Sequence, residues 1–206
     1  MNTRYDMIIV GGGMTGASLA IALSGHGLKL ALVEAALPTV DSVPNYDDRA
    51  IALAWGSSRI FGGLGVWQDI SARAEPIRQI HVSERGGFGF TRLHHASEGV
   101  AALGYVVTAR DLGGVLLESL ANCEDVELIA PARVTSVQTT EQKANIDILR
   151  EGETVNLETN LLVAADGGQS FIREQLQIAT RRWDYAQHAI VANISPSKPH
   201  QGVAFE

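Results

Sequence analysis

The glycine cluster near the N-terminus constrains the fold of this chain more than any other feature. An apolar run over residues 7–10 leads directly into Gly11, and a helical pattern of apolar residues follows over 14–25. Between them the glycines follow the spacing Gly11-x-Gly13-x-x-Gly16. A strand, such a turn and a helix in this order are typical of a βαβ unit whose turn binds the pyrophosphate of a dinucleotide. The chain is therefore predicted to open with a dinucleotide-binding unit.

Individual residues of this unit have physical roles in that interpretation. Gly11 permits the tight turn, Gly13 lets a pyrophosphate approach the backbone, and Gly16 lets the helix pack closely on the strand. We expect the pyrophosphate at the helix N-terminus, where Thr15 lies and where free N–H groups favour negative charge. Glu34 ends the second predicted strand, where a carboxylate can accept hydrogen bonds from ribose hydroxyls. The alternative interpretation is a glycine-rich turn without a ligand.

Composition and residue types exclude several function classes. The 206-residue chain has a net charge of −7, so it lacks the electrostatic footprint of a nucleic-acid-binding protein. Its one cysteine, Cys123, fits a reducing compartment and excludes a redox-active cysteine pair. His94 and His95 have no third ligand at metal spacing, so no metal site is predicted. Without a signal peptide or an apolar run of membrane-spanning length, we expect a cytoplasmic protein.

The rest of the chain predicts further helices and strands. Helical patterns cover residues 50–70 and 109–121, a β-hairpin is predicted at 78–95 around Gly86-Gly87, and a loop is predicted at 38–48. Strands are predicted at 28–33, 126–129, 132–139, 144–149, 154–157, 161–165, 189–194 and 203–205. Because strands and helices alternate, the pattern favours an α/β nucleotide domain with β-rich excursions.

A second predicted corner of strand, turn and helix follows the apolar run Leu161–Ala165. Asp166, at the carboxyl end of that strand, can accept hydrogen bonds from backbone N–H groups, and Gly167 allows close approach of a pyrophosphate. Ser170 can cap the next helix, and Arg173 offers a planar fork for a carboxylate or phosphate. The alternative interpretation is an ordinary helix N-cap followed by a surface arginine.

The two corners together resemble the fingerprints of the flavin-dependent aromatic hydroxylases, single-component monooxygenases that carry FAD and use NAD(P)H. Residues 48–53 resemble the part of that family where an arginine lies against the flavin, so Arg49 is a candidate; a surface salt bridge is the alternative. Arg110 begins the helix that passes beside the flavin in the family, although relatives often carry a charged residue where Thr108 stands. The resemblance implies FAD as the cofactor and a site of Gly11, Gly13, Thr15, Gly16, Glu34, Arg49, Arg110, Asp166, Gly167 and Arg173.

The resemblance is closest to the 2-polyprenyl-6-methoxyphenol hydroxylases of ubiquinone biosynthesis. It is carried, in order, by the segments 48–53, 81–86, 101–107, 163–167 and 190–194. It implies hydroxylation of a polyprenyl phenol by O2, with NAD(P)H as co-substrate, through a flavin C4a-hydroperoxide. No catalytic residue is assigned. Alternatives are another FAD-dependent oxidoreductase of the same fold, such as an isoprenoid reductase or epoxidase, and a non-catalytic dinucleotide-binding module.

The resemblance also implies the domain organisation. We expect an α/β fold with a Rossmann-like FAD-binding domain of the glutathione-reductase type, in which a β-meander follows the βαβ unit, and with β-rich excursions that belong to a substrate domain. The expected segments are 1–76 (FAD-binding domain, first part), 77–104 (substrate-domain strands), 105–179 (FAD-binding domain, second part) and 180–206 (start of the substrate-domain sheet).

Two further expectations concern the whole protein. Because members of the resembled family continue well beyond the point where this chain ends, we expect it to be the N-terminal part of a longer enzyme. A polyprenyl substrate favours a peripheral location at the inner membrane or in a biosynthetic complex. The resemblance leaves a homo-oligomer open.

Overall fold

The computed structural model describes residues 3–36 and 49–206, so the predicted loop at 38–48 lies outside the described residues. The strands are β1 Thr3–Val10, β2 Leu30–Val33, β3 Ala50–Ala54, β4 Glu75–Ile77, β5 Gln79–Ser83, β6 Phe90–His94, β7 Gly104–Thr108, β8 Val126–Ile129, β9 Arg133–Thr139, β10 Ala144–Arg150, β11 Glu153–Ala164 and β12 Val203–Phe205. The helices are α1 Met14–Leu23, α2 Trp55–Gly63, α3 Trp67–Ser71, α4 Ala109–Leu120 and α5 Phe171–Gln175.

The chain divides into two units. The first comprises the described parts of Met1–Pro44 together with Leu116–Gln187, and the second comprises the described parts of Asn45–Val115 together with His188–Glu206. Both units are discontinuous in sequence. Each therefore depends on contacts between segments that are far apart along the chain.

A six-stranded sheet in the order β8-β2-β1-β11-β10-β9 forms the first unit. Its first four strands are parallel, and β11, β10 and β9 follow one another as an antiparallel meander. The strand, helix and strand formed by β1, α1 and β2 make the predicted βαβ unit. The prediction of a Rossmann-like fold with a β-meander is therefore confirmed.

The core of the first unit lies on both faces of this sheet, because successive side chains of a strand point to opposite faces. Ile8 and Val10 of β1 pack into one cluster, which also contains Ile146 and Ile172. Ile9 points to the other face and packs with Ala20 of α1 and other apolar residues. Burial on both faces explains why residues 7–10 of β1 and all of β2 are continuous apolar runs in sequence rather than alternating ones.

The helices of both units are short. The longest among the described residues, α4, has 12 residues, and α1 has 10. Crossing the hydrocarbon part of a bilayer as a helix requires about 20 apolar residues. Within residues 3–36 and 49–206, no helix combines the length and apolar character needed for such a span.

Two three-stranded sheets form the second unit. In one, β7 lies between β3 and β4, with both pairings antiparallel. In the other, β5 lies between β6 and β12; β5 and β6 are the predicted hairpin, in which Ile80 faces Leu93. The strand β12 runs parallel to β5, so residues 203–205 lie beside residues 79–81 although most of the chain separates them.

The structure corrects three predicted elements. The start of the predicted helix at 50–70 is instead β3, because residues 50–54 pair with β7 before α2 begins. The predicted strands at 154–157 and 161–165 are one strand, β11, because its first half pairs with β10 and its second half with β1. Residues 189–194 form no strand; Ile190 and Ile194 are 96% and 82% exposed, so no sheet buries them among the described residues.

Candidate cofactor-binding site

The glycine turn leaves the end of β1 at a point where the backbone is crowded. The Gly11 N–H donates to the Val33 carbonyl oxygen at 2.8 Å, which ties the turn to β2. Gly11 has a φ of +104°, and a Cβ there would collide with the carbonyl oxygen of Ala165. Only glycine combines that backbone conformation with this close approach. The tight turn expected at Gly11 is therefore present.

The other two glycines of the spacing have different surroundings. A Cβ on Gly16 would collide with the Gly11 carbonyl oxygen and would lie 3.3 Å from Cγ2 of Ile9, so this glycine lets α1 pack on the strand. A Cβ on Gly13 would meet nothing within 4 Å. Gly13 is also the N-cap of α1, whose first N–H groups have no partner inside the helix. Thr15 is exposed in that first turn.

Glu34 lies directly after β2 and is held by backbone N–H groups. Its Oε2 accepts a hydrogen bond from the Gly12 N–H at 2.6 Å, and its Oε1 accepts one from the Ala36 N–H at 2.9 Å. An ionised carboxylate has about four lone-pair sites, so each oxygen retains acceptor capacity for hydroxyl groups. A Cβ on Gly12 would lie 3.1 Å from the Cβ of Glu34. The glycine spacing assigns no role to Gly12, yet the Glu34 carboxylate lies beside its Cβ position.

The second corner forms at the carboxyl end of β11, beside the glycine turn. The Ala165 N–H donates to the Val10 carbonyl oxygen at 2.7 Å, so the ends of β11 and β1 lie together. Asp166 Oδ2 accepts from the Ile172 N–H at 3.2 Å, and Ser170 Oγ accepts from the Arg173 N–H at 3.0 Å. The expected backbone anchor and helix cap are thus both present at α5.

One oxygen of Asp166 has no partner in the part of the chain that the structure describes. Its Oδ1 atom is buried and accepts no hydrogen bond there. Buried carboxylate oxygens are costly when unpaired, so such an atom marks a place where a ligand can donate a hydrogen bond. The next residue, Gly167, has a φ of +84° and open space around a Cβ position. Beyond it, Arg173 Nη2 donates to the Gly168 carbonyl oxygen at 2.7 Å and closes the corner.

A cavity of about 450 Å³ joins the two corners within the first unit. Five predicted residues line it; they are Gly11, Gly13, Glu34, Asp166 and Gly167. The other predicted residues of this unit, Thr15, Gly16 and Arg173, lie in the same two corners but outside the lining. Open α/β sheets bind ligands at the carboxyl ends of their parallel strands, which is where this cavity lies. Its volume falls within the usual range of about 300–1,000 Å³ for ligand pockets.

The cavity lining also includes residues that the sequence motifs did not identify. Ala132, Arg133 and Val134 contribute from the start of β9, and Gln169 and Phe171 contribute from the second corner. The β9 residues carry no motif, because their place in the cavity depends on the fold of the meander. The sequence pattern predicted the strand at 132–139 but not that its start lies beside the end of β2.

Arg49 and Arg110 belong to the second unit, where the backbone brings them close. The Ala109 N–H donates to the Arg49 carbonyl oxygen at 3.0 Å, and Arg110 is the second residue of α4. Thr108 caps α4, since its Oγ1 accepts from the Asp111 N–H at 3.0 Å. The roles of Arg49 and Arg110 beside a flavin stay predictions.

Titratable groups with displaced pKa values lie outside the cavity lining. Burial, together with a hydrogen bond to Glu127 at 2.7 Å, raises the pKa of Tyr5. Hydrogen bonds from Ser24 Oγ and the Gly25 N–H hold the pKa of Asp125 below its usual value. Neither group lines the cavity, so these shifts belong to the scaffold rather than to the site.

Comparison with known proteins shows the family to which the chain is similar. The family model described as "FAD binding domain" matches residues 4–203. The chain is 33% identical over 202 residues to ubiquinone hydroxylase UbiL of Rhodospirillum rubrum, covering 98% of this chain and 46% of that protein. It is 29% identical to the 3-demethoxyubiquinol 3-hydroxylase of Escherichia coli, covering 94% of this chain and 49% of that protein. The chain thus spans about half the length of these relatives.

Solved structures share the fold. The p-nitrophenol 4-monooxygenase PnpA from Pseudomonas putida superposes with a TM-score of 0.73 at 18% identity, over 85% of this chain and 44% of that one. The flavin-dependent monooxygenase PieE, solved with FAD and substrate, superposes with a TM-score of 0.71 at 24% identity, over 85% of this chain and 32% of that one. At these identities the likeness concerns the fold alone.

Proposed function

Because this chain belongs to the FAD binding domain family, we propose that the protein is an FAD-dependent monooxygenase that hydroxylates a polyprenylated methoxyphenol in ubiquinone biosynthesis. The chain is about 30% identical to relatives named as ubiquinone hydroxylases, and it covers the FAD-binding part of such a protein. The observation that carries the proposal is the cavity in which the glycine turn, Glu34 and the Asp166 corner converge.

The residues present fit FAD. The open space at Gly13 and the free N–H groups of α1 suit a pyrophosphate, with Gly11 and Gly16 shaping the turn and Thr15 in the first helical turn. The Glu34 carboxylate suits the hydroxyls of the adenosine ribose. The unpaired Oδ1 of Asp166 suits a hydroxyl donor of the cofactor, and Gly167 leaves space beside it.

Three arginines complete the proposed set of cofactor-binding residues. Arg173 supports the Asp166 corner through its bond to Gly168, and it can turn its remaining N–H groups toward a phosphate. Arg49 and Arg110 are proposed flavin contacts, on the family resemblance of their segments. Their backbone proximity supports a common role for the two residues.

These residues are proposed to bind and orient the cofactor and to stabilise the negative charge of its pyrophosphate. When bound, FAD supplies the redox and oxygen-activating chemistry, with NAD(P)H and O2 as co-substrates. The N–H groups of α1 neutralise part of the pyrophosphate charge without an added cation. The Gly12 and Ala36 N–H groups fix Glu34, so its remaining lone pairs are oriented before the ribose arrives. No described residue is assigned a proton-transfer role.

The substrate domain is proposed to lie mostly within the second unit, since only residues 180–187 of its segments belong to the first unit. Residues 77–104 and 180–206 are its proposed segments, alongside FAD-binding segments 1–76 and 105–179. The pairing of β12 with β5 supports this division, because it unites the two proposed substrate-domain segments in one sheet. An apolar polyprenyl substrate further favours a peripheral location at the inner membrane or in a biosynthetic complex.

The proposal is tested with purified protein that comprises this chain. We expect flavin absorbance that resolves to FAD on denaturation, and NAD(P)H oxidation that a polyprenyl methoxyphenol stimulates. With ¹⁸O2, one labelled oxygen should enter the phenol ring. NAD(P)H oxidation with a reduced or epoxidised isoprenoid and an unlabelled phenol would contradict the hydroxylase. Absence of bound flavin would instead indicate a non-catalytic module.

A further inference from the structure

Arg133 is the one positively charged residue among the described residues that line the cavity. The lining also contains the carboxylates of Glu34 and Asp166, and a bound FAD would add two negatively charged phosphates. Within the described ranges, the Arg133 side chain makes no hydrogen bond or ion pair. A guanidinium without a protein partner can interact with a ligand at no cost of breaking an existing contact.

Arg133 lies on the Glu34 side of the cavity. The Ala132 N–H donates to the Glu34 carbonyl oxygen at 2.8 Å, which joins the start of β9 to the end of β2. Arg133 is the first residue of β9. Because Glu34 is the proposed ribose ligand, this wall borders the adenosine half of FAD rather than the glycine turn that takes the pyrophosphate.

The residues around Arg133 suit a flat aromatic base. Ala35 and Ala132, whose side chains are methyl groups, line the cavity, and Val33 and Val134 add further apolar side chains. Such a wall favours an uncharged ring over a phosphate, because a phosphate buried against alkyl groups would lose its hydration. A guanidinium beside this wall has a planar face that stacks on aromatic rings.

We propose that Arg133 determines cofactor specificity, by stacking its guanidinium on the adenine ring and thereby selecting FAD over FMN. This role rests on the proposed FAD site. FMN has no adenine and makes no use of the contact. The contribution of Arg133 is therefore specific to the adenosine half, and it differs from general attraction of a phosphate by a cation.

The test compares Arg133→Ala and Arg133→Lys with Arg150→Ala, which removes an arginine of the same sheet that does not line the cavity. FAD and FMN are titrated into purified apoprotein at low and high salt, and binding is followed by flavin fluorescence. We expect Arg133→Ala to weaken FAD binding by about tenfold at both salt concentrations, as loss of a cation–π contact predicts, and to leave FMN binding unchanged. Arg133→Lys, which lacks the planar face, should lose part of the FAD affinity, and Arg150→Ala should bind like the wild type.

Three results would overturn the assignment. They are an unchanged FAD affinity in Arg133→Ala, equal losses for FAD and FMN, and a loss that disappears at high salt, which would indicate a phosphate contact. Arg133 is exposed, so folding is expected to survive both substitutions; circular dichroism of each variant checks this. If the wild type itself bound no FAD, the proposed function would fail as well, and that result is distinct from the three above.

Discussion

The glycine turn at residues 11–16 and the corner at residues 166–173 both follow a parallel strand and precede a helix, yet they are stabilised differently. In the glycine turn, backbone atoms approach so closely that a Cβ on Gly11 or Gly16 would collide with a carbonyl oxygen. In the second corner, the side chains of Asp166 and Ser170 accept hydrogen bonds from the backbone of α5. The first corner depends on the absence of side chains and the second on their presence.

This difference separates structural from ligand-binding residues within each corner. Gly16 is enclosed by protein atoms, whereas the Cβ position of Gly13 is open and Gly13 lines the cavity. Ser170 Oγ bonds only within the corner, whereas Asp166 has one oxygen bonded to the corner and one unpaired. Each corner thus contains one residue that serves the fold and one that is positioned to serve the ligand.

The largest expected effect is that of Gly16→Ala on folding. The added methyl group would collide with the Gly11 carbonyl oxygen, and backbone cannot give way as a flexible side chain can. We expect the free energy of unfolding in urea to fall by about 3–5 kcal/mol, as for severe overpacking. A loss below about 1 kcal/mol would show that α1 can shift, and that backbone crowding does not define this corner.

Gly13→Val should separate ligand binding from folding. The valine side chain would occupy the open space proposed for the pyrophosphate, so we expect FAD affinity, measured by fluorescence titration, to fall by about 100-fold. The free energy of unfolding should change by about 1 kcal/mol or less, the scale of an N-cap change. Gly56→Val is the matched control, because Gly56 also has open space but does not line the cavity. Wild-type FAD affinity in Gly13→Val would remove the turn from the site.

Asp166→Ala should lower both the free energy of unfolding and the FAD affinity moderately. It leaves the Ile172 N–H without its acceptor, which should cost about 1–2 kcal/mol in urea unfolding. It also removes the unpaired Oδ1, and we expect FAD affinity to fall by about tenfold, the equivalent of one hydrogen bond. Asp166→Asn can still accept from Ile172 and should retain most of the stability. Unaltered FAD binding in both variants would leave the unpaired oxygen without a ligand role.

Ser170→Ala should affect folding alone. Loss of the N-cap bond to Arg173 is expected to lower the free energy of unfolding by about 1 kcal/mol. FAD affinity should stay within about threefold of the wild type, which corresponds to less than one hydrogen bond. Ser71→Ala removes an exposed serine hydroxyl that only donates to the Gln68 carbonyl oxygen, and it serves as the control. A large loss of FAD affinity in Ser170→Ala would mean that fold and ligand roles are not separable in this corner.

The smallest expected effect on stability is at the C-terminal end of α1. There the Asp125 carboxylate accepts hydrogen bonds from Ser24 and Gly25, much as Asp166 accepts one from Ile172. Ser24→Ala removes one of these bonds and should raise the pKa of Asp125 toward its ordinary value, which NMR titration of the carboxyl can follow. A depressed folded-state pKa contributes stability above the unfolded-state pKa, and this contribution is lost as the pH falls through the folded-state pKa. The acid side of the stability curve should therefore become less steep in the variant. An unchanged Asp125 pKa would contradict the role of the Ser24 hydrogen bond at this end of α1.

Local patterns predicted much of the fold but were unreliable where pairing partners are distant. The apolar runs and the glycine spacing predicted β1, α1 and β2, because turn sterics and two-sided burial act within a short segment. Residues 50–54 were wrongly predicted as helical, since their pairing with β7 is not visible locally. Residues 189–194 have strand composition but no strand partner among the described residues.

Contacts between residues that are distant in sequence also limited the prediction of the candidate site. Glu34 and Asp166 could be predicted, because each follows an apolar strand directly and carries a group suited to a ligand. Gly12 and Arg133 could not. The role of Gly12 depends on where the Glu34 side chain lies, and that of Arg133 depends on the bond between Ala132 and the end of β2.

The chemistry of the two corners follows from local sequence, because a tight glycine turn, a helix cap and a strand-end carboxylate are set by neighbouring residues. Only the tertiary structure decided that the corners form one cavity. That depends on β11 lying between β1 and β10, which places Ala165 and Asp166 against Gly11. Pairing β1 with β11 must offset the entropy of closing a loop that contains most of the chain, including residues 45–115 of the second unit. The buried core on both faces of the sheet supplies that free energy.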